Sequence, residues 1–184
     1  MPAIRHRVLG GLAAIVLLAG AAAGLRGEDP APTPPVLDQP LIAGWSFDEL
    51  FGSTCGDASG HGHHASPEHP GAAGLQRVPG LFGTAMAFSG NHRLRVPGKP
   101  EFGELPALSF SVWVLPTDLS GYREIFRKED GDQRVLFSFQ QDGTVLSLGL
   151  NVGGYVECDA PLDPTRVLDG RWHHCAATFD GQTM

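Results

Sequence analysis

The chain is poor in charge, and the charge it has leans away from nucleic acid. Of its 184 residues 18% are charged, and 13 Lys and Arg against 20 Asp and Glu give a formal net charge of -7. No cluster of Lys and Arg stands ready to neutralise phosphates, which argues against RNA or DNA as a partner. A helical pattern is missing as well. After residue 25 no stretch repeats its apolar residues at a sustained helical period, so a helical domain is not expected. There is no nucleophile elbow, no phosphate loop and no dinucleotide fingerprint. Cysteine is scarce and odd in number: Cys55, Cys158 and Cys175. In an oxidising compartment two can pair and leave one over. Cys158 and Cys175 are the nearer pair, both in strand-like segments, and are the candidate bridge; the alternative is three buried thiols acting as small hydrophobes.

What is abundant is turn chemistry, with 25 Gly and 15 Pro. That composition, at a length suited to one domain, favours an all-β fold. Residues 1–23 read as a signal peptide: Arg5 and Arg7 precede an uncharged apolar run from Val8 to Ala23, and Ala21-Ala22-Ala23 supplies the small residues that signal peptidase accepts. The alternative is an uncleaved anchor, since Val8 to Leu25 is about long enough to span a bilayer. Either way the remainder is expected outside the cytoplasm, as a secreted, periplasmic or cell-surface protein. Residues 24–40 form a linker interrupted by Pro30, Pro32, Pro34, Pro35 and Pro40. Residues 41–184 are the domain.

Short strands follow one another through that domain. A first strand is expected over Leu41 to Phe47, then a long polar loop over Gly52 to Gly74. Short strands at Ala85–Phe88 and Leu94–Val96 come next. Leu108 to Leu115 alternates cleanly, with Leu108, Phe110, Val112 and Val114 on one face. After a short strand at Glu124–Arg127, Val135, Phe137 and Phe139 share a face. Asp142-Gly143 then predicts a two-residue type I′ turn, and Leu146, Leu148 and Leu150 return. Tyr155–Ala160 is a further strand, and Leu162–Arg171 a loop. Strands at this spacing indicate a sandwich or barrel. The last strand, from Trp172, has apolar or aromatic residues on both faces and is expected in the sandwich interior, where His173 and His174 are structural.

Five segments in order carry a family resemblance: Trp45-Ser46-Phe47-Asp48-Glu49, Asp57-Ala58-Ser59-Gly60-His61-Gly62, Gly80 through Gly90, Phe110-Ser111-Val112-Trp113-Val114, and Asp169-Gly170-Arg171-Trp172-His173-His174. Together they resemble the LamG-like jelly-roll family, within the concanavalin A-like lectin/glucanase group. The resemblance implies an antiparallel two-sheet jelly-roll sandwich. It also implies further strands after the Asp180-Gly181 turn, so the domain is expected to be incomplete at its C-terminal side. One departure is His61, where the family pattern has Asn.

The resemblance implies a structural Ca²⁺ near the Asp57 segment, with Asp48, Asp57 and Ser59 as candidate oxygen ligands. The other reading, which the residues favour, is that Asp57 and Ser59 hold a tight turn through side-chain to backbone hydrogen bonds. His61, His63, His64 and His69 form a local cluster that reads as a solvated loop more readily than as a zinc site. Related hydrolases carry alternating carboxylates on one strand; the only dense acidic run here, Glu129 to Asp132, carries a turn signal, and no catalytic residues are expected. Tyr122, Tyr155 and Phe82 are candidate aromatic platforms for sugars. The expected function is an extracytoplasmic carbohydrate- or protein-binding module of a larger secreted or surface protein. Its partner is then a glycan or an extracellular protein, and a membrane contact arises only through an uncleaved N-terminal anchor. The alternatives are a structural spacer and an accessory domain of a secreted glycoside hydrolase.

Overall fold

The computed structural model describes residues 11–18, 41–69, 75–90, 92–103, 105–130 and 133–184. The expected cleavage site at Ala21–Ala23 and the linker over 24–40 lie outside the described residues, as do Gly131 and Asp132 of the acidic run. In chain order the strands are β1 (Gly11–Leu18), β2 (Leu41–Trp45), β3 (Ser66–Pro67), β4 (Leu75–Pro79), β5 (Thr84–Phe88), β6 (Leu94–Arg95) and β7 (Leu108–Val114). They continue with β8 (Arg123–Asp130), β9 (Gln133–Gln140), β10 (Val145–Asn151), β11 (Tyr155–Pro161) and β12 (His173–Phe179). One helical turn, α1 (Pro164–Val167), sits inside the expected loop before β12, started by Asp163, whose carboxylate accepts from the Thr165 backbone N–H at 3.0 Å. No helix among the described residues is long and apolar enough to cross a membrane.

The strands form two antiparallel sheets, as the two-sheet expectation requires. The larger has the order β12-β7-β1-β5-β4, with β2 also paired to β1; the smaller has the order β11-β10-β9-β8. β3 and β6 make a separate two-stranded ribbon. Alternation decides which side chains meet between the sheets. Leu108, Phe110, Val112 and Val114 of β7 are buried, with Ser109, Ser111 and Trp113 less so on the other face. Phe137 and Phe139 of β9 and Leu148 and Leu150 of β10 join them in the core. Phe110 lies 4.9 Å from the Phe126 ring and 5.7 Å from that of Phe137, so one aromatic cluster ties β7 to β8 and β9. Truncating such a ring costs about 3–5 kcal/mol.

Residues 11–18 of the apolar run read as a leader form β1, at the centre of the larger sheet. Two expectations need correction. The β9–β10 turn is wider than two residues: Gln140 pairs with Val145, and Gln141, Asp142 and Gly143 all have positive φ. The cause is a neighbouring loop that docks on it. Asp142 Oδ1 accepts from the Gly121 N–H at 2.6 Å, and a Cβ on Gly143 would stand 2.7 Å from Leu119. Finally, β12, which pairs with β7 at the edge of the described sheet, is not buried on both faces. His174, Ala176 and Thr178 are exposed, and the outward apolar column is surface packing: the His174 ring lies 5.1 Å from Trp113 and its Nε2 is 2.8 Å from Ser111 Oγ.

Candidate functional site

The loop that carries Asp57 is held from within. Asp57 Oδ1 accepts from the backbone N–H of Gly44 at 3.0 Å and of Ser59 at 2.9 Å. Its Oδ2 accepts from Ser59 Oγ at 2.6 Å and from the His63 N–H at 2.9 Å. Burial works to raise the Asp57 pKa, and the bonds from Ser59, His63 and Gly44 outweigh it, holding the carboxyl far below its usual range. Asp57 and Ser59 are thus brought together, while Asp48 serves another segment, accepting from the Thr84 N–H at 2.8 Å. Glu49 is paired with Arg77 at 2.8 Å. The donor set does not fit a hard cation as it stands, because N–H and O–H donors occupy the lone pairs that Ca²⁺ would take. Among the described residues no group of three or more His, Cys, Asp or Glu converges to hold a metal ion.

The histidines of this loop separate. His64 Nδ1 accepts from the Asp57 N–H at 3.0 Å. His63 is 0% exposed and packs against Phe102 at 4.4 Å, and neither of its ring nitrogens has a hydrogen-bond partner. Burial, aided by the charge of Lys99, lowers its pKa, so the ring is neutral. The cysteines are free thiols. Cys158 is exposed on β11 and Cys175 buried on β12, on edge strands of the two different sheets.

A second polar assembly lies on the outward face of the β8–β11 sheet. Register places Glu124, Ser138, Ser147 and Asp159 in one cross-strand row, and Arg127, Leu136, Gly149 and Glu157 in the next. The middle of this face is buried, at Leu136, Ser138, Gln140 and Ser147, while its flanks are exposed. On the β8 flank Arg127 bonds Glu124 at 2.9 Å and Glu129 through Nε at 2.9 Å, so one guanidinium is shared between two carboxylates. On the β11 flank Tyr155 leans across β10. A Cβ on Gly149 would stand 2.1 Å from the Tyr155 hydroxyl, so only Gly admits this pose.

Tyr155 Oη donates to Glu157 Oε1 at 2.9 Å, and Gln140 Nε2 donates to the same oxygen at 3.1 Å. The Arg134 guanidinium sits over the Tyr155 ring, 4.8 Å from its centroid. Burial, followed by the Glu157 carboxylate, raises the Tyr155 pKa and keeps the phenol protonated as a donor. Two atoms of this face, Arg134 Nε and Ser147 Oγ, are buried without a hydrogen-bond partner. Tyr155 is 41% exposed, whereas Tyr122 and Phe82 are more exposed and lie outside the strands, in the segments before β8 and β5.

A rigid row of donors and acceptors beside an aromatic ring is the chemistry of polyhydroxylated ligands. The fold around it is matched by a family model, Laminin_G_3, described as the concanavalin A-like lectin/glucanases superfamily, over residues 88–184. That match spans more than half of the chain. The chain belongs to this superfamily. No curated protein and no solved structure matches it. The matched region of this lectin/glucanase domain holds β7 to β12 and so contains the whole β8–β11 face, whereas the Asp57 loop precedes it.

Of the face residues, sequence reasoning singled out only Tyr155. Glu157 and Asp159 do not stand in a dense acidic run, so they do not stand out in the sequence. Their signal was present as Glu157-Cys158-Asp159, two carboxylates at alternate positions of a strand.

Proposed function

We propose that this domain is an extracytoplasmic glycan-binding module of a larger secreted or surface protein, and that the outward face of the β8–β11 sheet is its contact surface. The observation that carries the reading is the Arg134–Tyr155–Glu157–Gln140 chain. It offers guanidinium and amide N–H donors, a carboxylate acceptor and a part-exposed aromatic ring on one sheet. Sugar hydroxyls need donors and acceptors side by side, and their C–H faces pack on aromatic rings. Superfamily membership supports a binding role for glycans or proteins. Location outside the cytoplasm rests on the Arg5, Arg7 and Val8–Ala23 pattern. A Ca²⁺ requirement at Asp48, Asp57 and Ser59 is a separate proposal, for a metal titration. A glycan array probed with the purified chain and with Tyr155→Ala tests the reading. Selective retention that the variant loses supports it; no retained glycan contradicts it.

A hydrolytic reading would rest on Glu157 and Asp159, which alternate on the same face of β11. Glu157 Oε1 already accepts from Tyr155 and Gln140, an arrangement suited to holding a ligand-binding row in place. Reducing-end release from the glycans retained on the array, abolished by Glu157→Gln, would favour hydrolysis.

A further inference from the structure

The β11 flank of the β8–β11 face carries negative charge that the protein does not balance. Glu157 and Asp159 are both exposed on β11, and strand alternation puts them on the same side. Neither forms an ion pair with a described residue. The arginines of this face are committed elsewhere, Arg127 to Glu124 and Glu129, and Arg134 to the ring of Tyr155. An acidic flank alone names no ligand. The residue beside it does.

Ser147 is the register partner of Asp159 on one side and of Ser138 on the other. It is 0% exposed, and its Oγ has no hydrogen-bond partner. Leaving such a group unmet costs roughly 1–3 kcal/mol. The same register shows what covers it. Gln140 stands opposite Val145 and Glu157 opposite Gly149, with Ser147 midway between on β10. The 3.1 Å bond from Gln140 Nε2 to Glu157 Oε1 therefore crosses β10 above Ser147. The same nitrogen is 3.4 Å from Ser138 Oγ. One neutral amide nitrogen thus sits among the oxygens of Ser138, Ser147, Glu157 and Asp159, and it leaves the Ser147 hydroxyl unmet.

We propose that Ser147, Glu157 and Asp159 form an ammonium site, so that the glycan this face takes is an amino sugar whose amine is not acylated. The inference rests on the glycan-binding reading of the face. An ammonium carries three N–H donors, one each for the Glu157 carboxylate, the Asp159 carboxylate and the Ser147 hydroxyl oxygen. Charge-assisted hydrogen bonds are roughly twice as strong as neutral ones, so an ammonium displaces the Gln140 amide from Glu157 and uncovers Ser147. A neutral hydroxyl or an acetamide offers only an exchange of like for like and leaves the cover in place. The released amide is then free to donate to a sugar hydroxyl, while the Tyr155 hydroxyl still holds Glu157. Every residue of the site lies between Ser138 and Asp159, on three strands whose ladders are formed, so it does not depend on strands that follow the Asp180-Gly181 turn.

The test is a calorimetric titration of the full chain with three β-1,4-linked oligomers of equal length, of glucosamine, of N-acetylglucosamine and of glucose. The free-amine oligomer should bind at least about 10-fold more tightly than either of the others. Ser147→Ala removes a buried unmet atom, so it should fold and melt no lower than the wild type; its preference for the amine should fall to about 3-fold or less. Asp159→Asn, at an exposed position, should lose the preference to the same extent. Equal affinity for the three oligomers, or tighter binding of the acetylated one, overturns the ammonium site and leaves the glycan reading standing. So does a folded Ser147→Ala or Asp159→Asn protein with its preference intact. A trilysine peptide that binds as tightly as the amine oligomer would show a cation site that does not read sugar, and would also overturn the proposal. Failure to bind these oligomers or any glycan of an array overturns both readings together.

Discussion

Tyr155 rests its hydroxyl over Gly149, one strand away, where a Cβ would stand 2.1 Å from it. The blocking atom is the far end of a side chain, not backbone, so Gly149→Ala should move Tyr155 and leave the sheet intact. The expected outcome is loss of glycan binding with a stability change of about 1 kcal/mol or less, read by array retention and a thermal melt. Retained binding in a folded Gly149→Ala protein would show that the Tyr155 pose is irrelevant to the ligand.

Asp57 closes its loop with four accepted hydrogen bonds, from Gly44, Ser59 twice and His63. Asp57→Ala should destabilise by about 3 kcal/mol. Because its folded pKa is depressed, its stabilisation is present above the unfolded carboxylate range and is lost as pH falls through the folded value. Denaturant midpoints of the two proteins should therefore converge in strong acid. With about 1 mM Ca²⁺ or with chelator, the wild-type melting temperature should stay within roughly 1 °C; a clear rise with Ca²⁺ would restore the calcium reading of Asp48, Asp57 and Ser59.

His63 is buried, neutral and unpartnered at both ring nitrogens. Its folded pKa lies below the unfolded one, so the unfolded chain binds the extra proton and stability declines as pH falls from neutrality through the unfolded histidine range. His63→Phe keeps the contact with Phe102 and removes the unsatisfied atoms. It should stabilise by about 1 kcal/mol at pH 7 and flatten the decline between about pH 7 and 5. Urea titrations at the two pH values would show it, and an unchanged slope would mean that His63 finds partners in solution.

The three thiols should react at very different rates. Burial pushes Cys55 and Cys175 up to about 11, while Cys158 is exposed on β11. A native thiol assay should count one fast cysteine per chain and reach three in denaturant. Native and denatured counts of none and one would instead reveal the Cys158–Cys175 bridge.

What was legible in the sequence followed from local rules. Alternation put Phe110, Val112, Phe137 and Leu148 in the core correctly, since the strand period alone decides facing. Asp57 and Ser59 were correctly paired as turn formers, because Asx turns act over two residues. Facts about assembly were hidden. Nothing local says that a leader-like run sits between β7 and β2. The Asp142-Gly143 turn is widened by a loop around Leu119 and Gly121, distant in sequence. The β8–β11 face was hidden for the same reason: Arg134, Gln140, Gly149 and Glu157 meet only through register.

The most direct measurement is an amide NMR titration of the chain with a glycan that it retains. The account predicts shift changes concentrated at Arg134, Ser138, Gln140, Ser147, Gly149, Tyr155 and Glu157. Changes confined to the loops around Phe82, Tyr122 or Asp57, with the β8–β11 face silent, would contradict it.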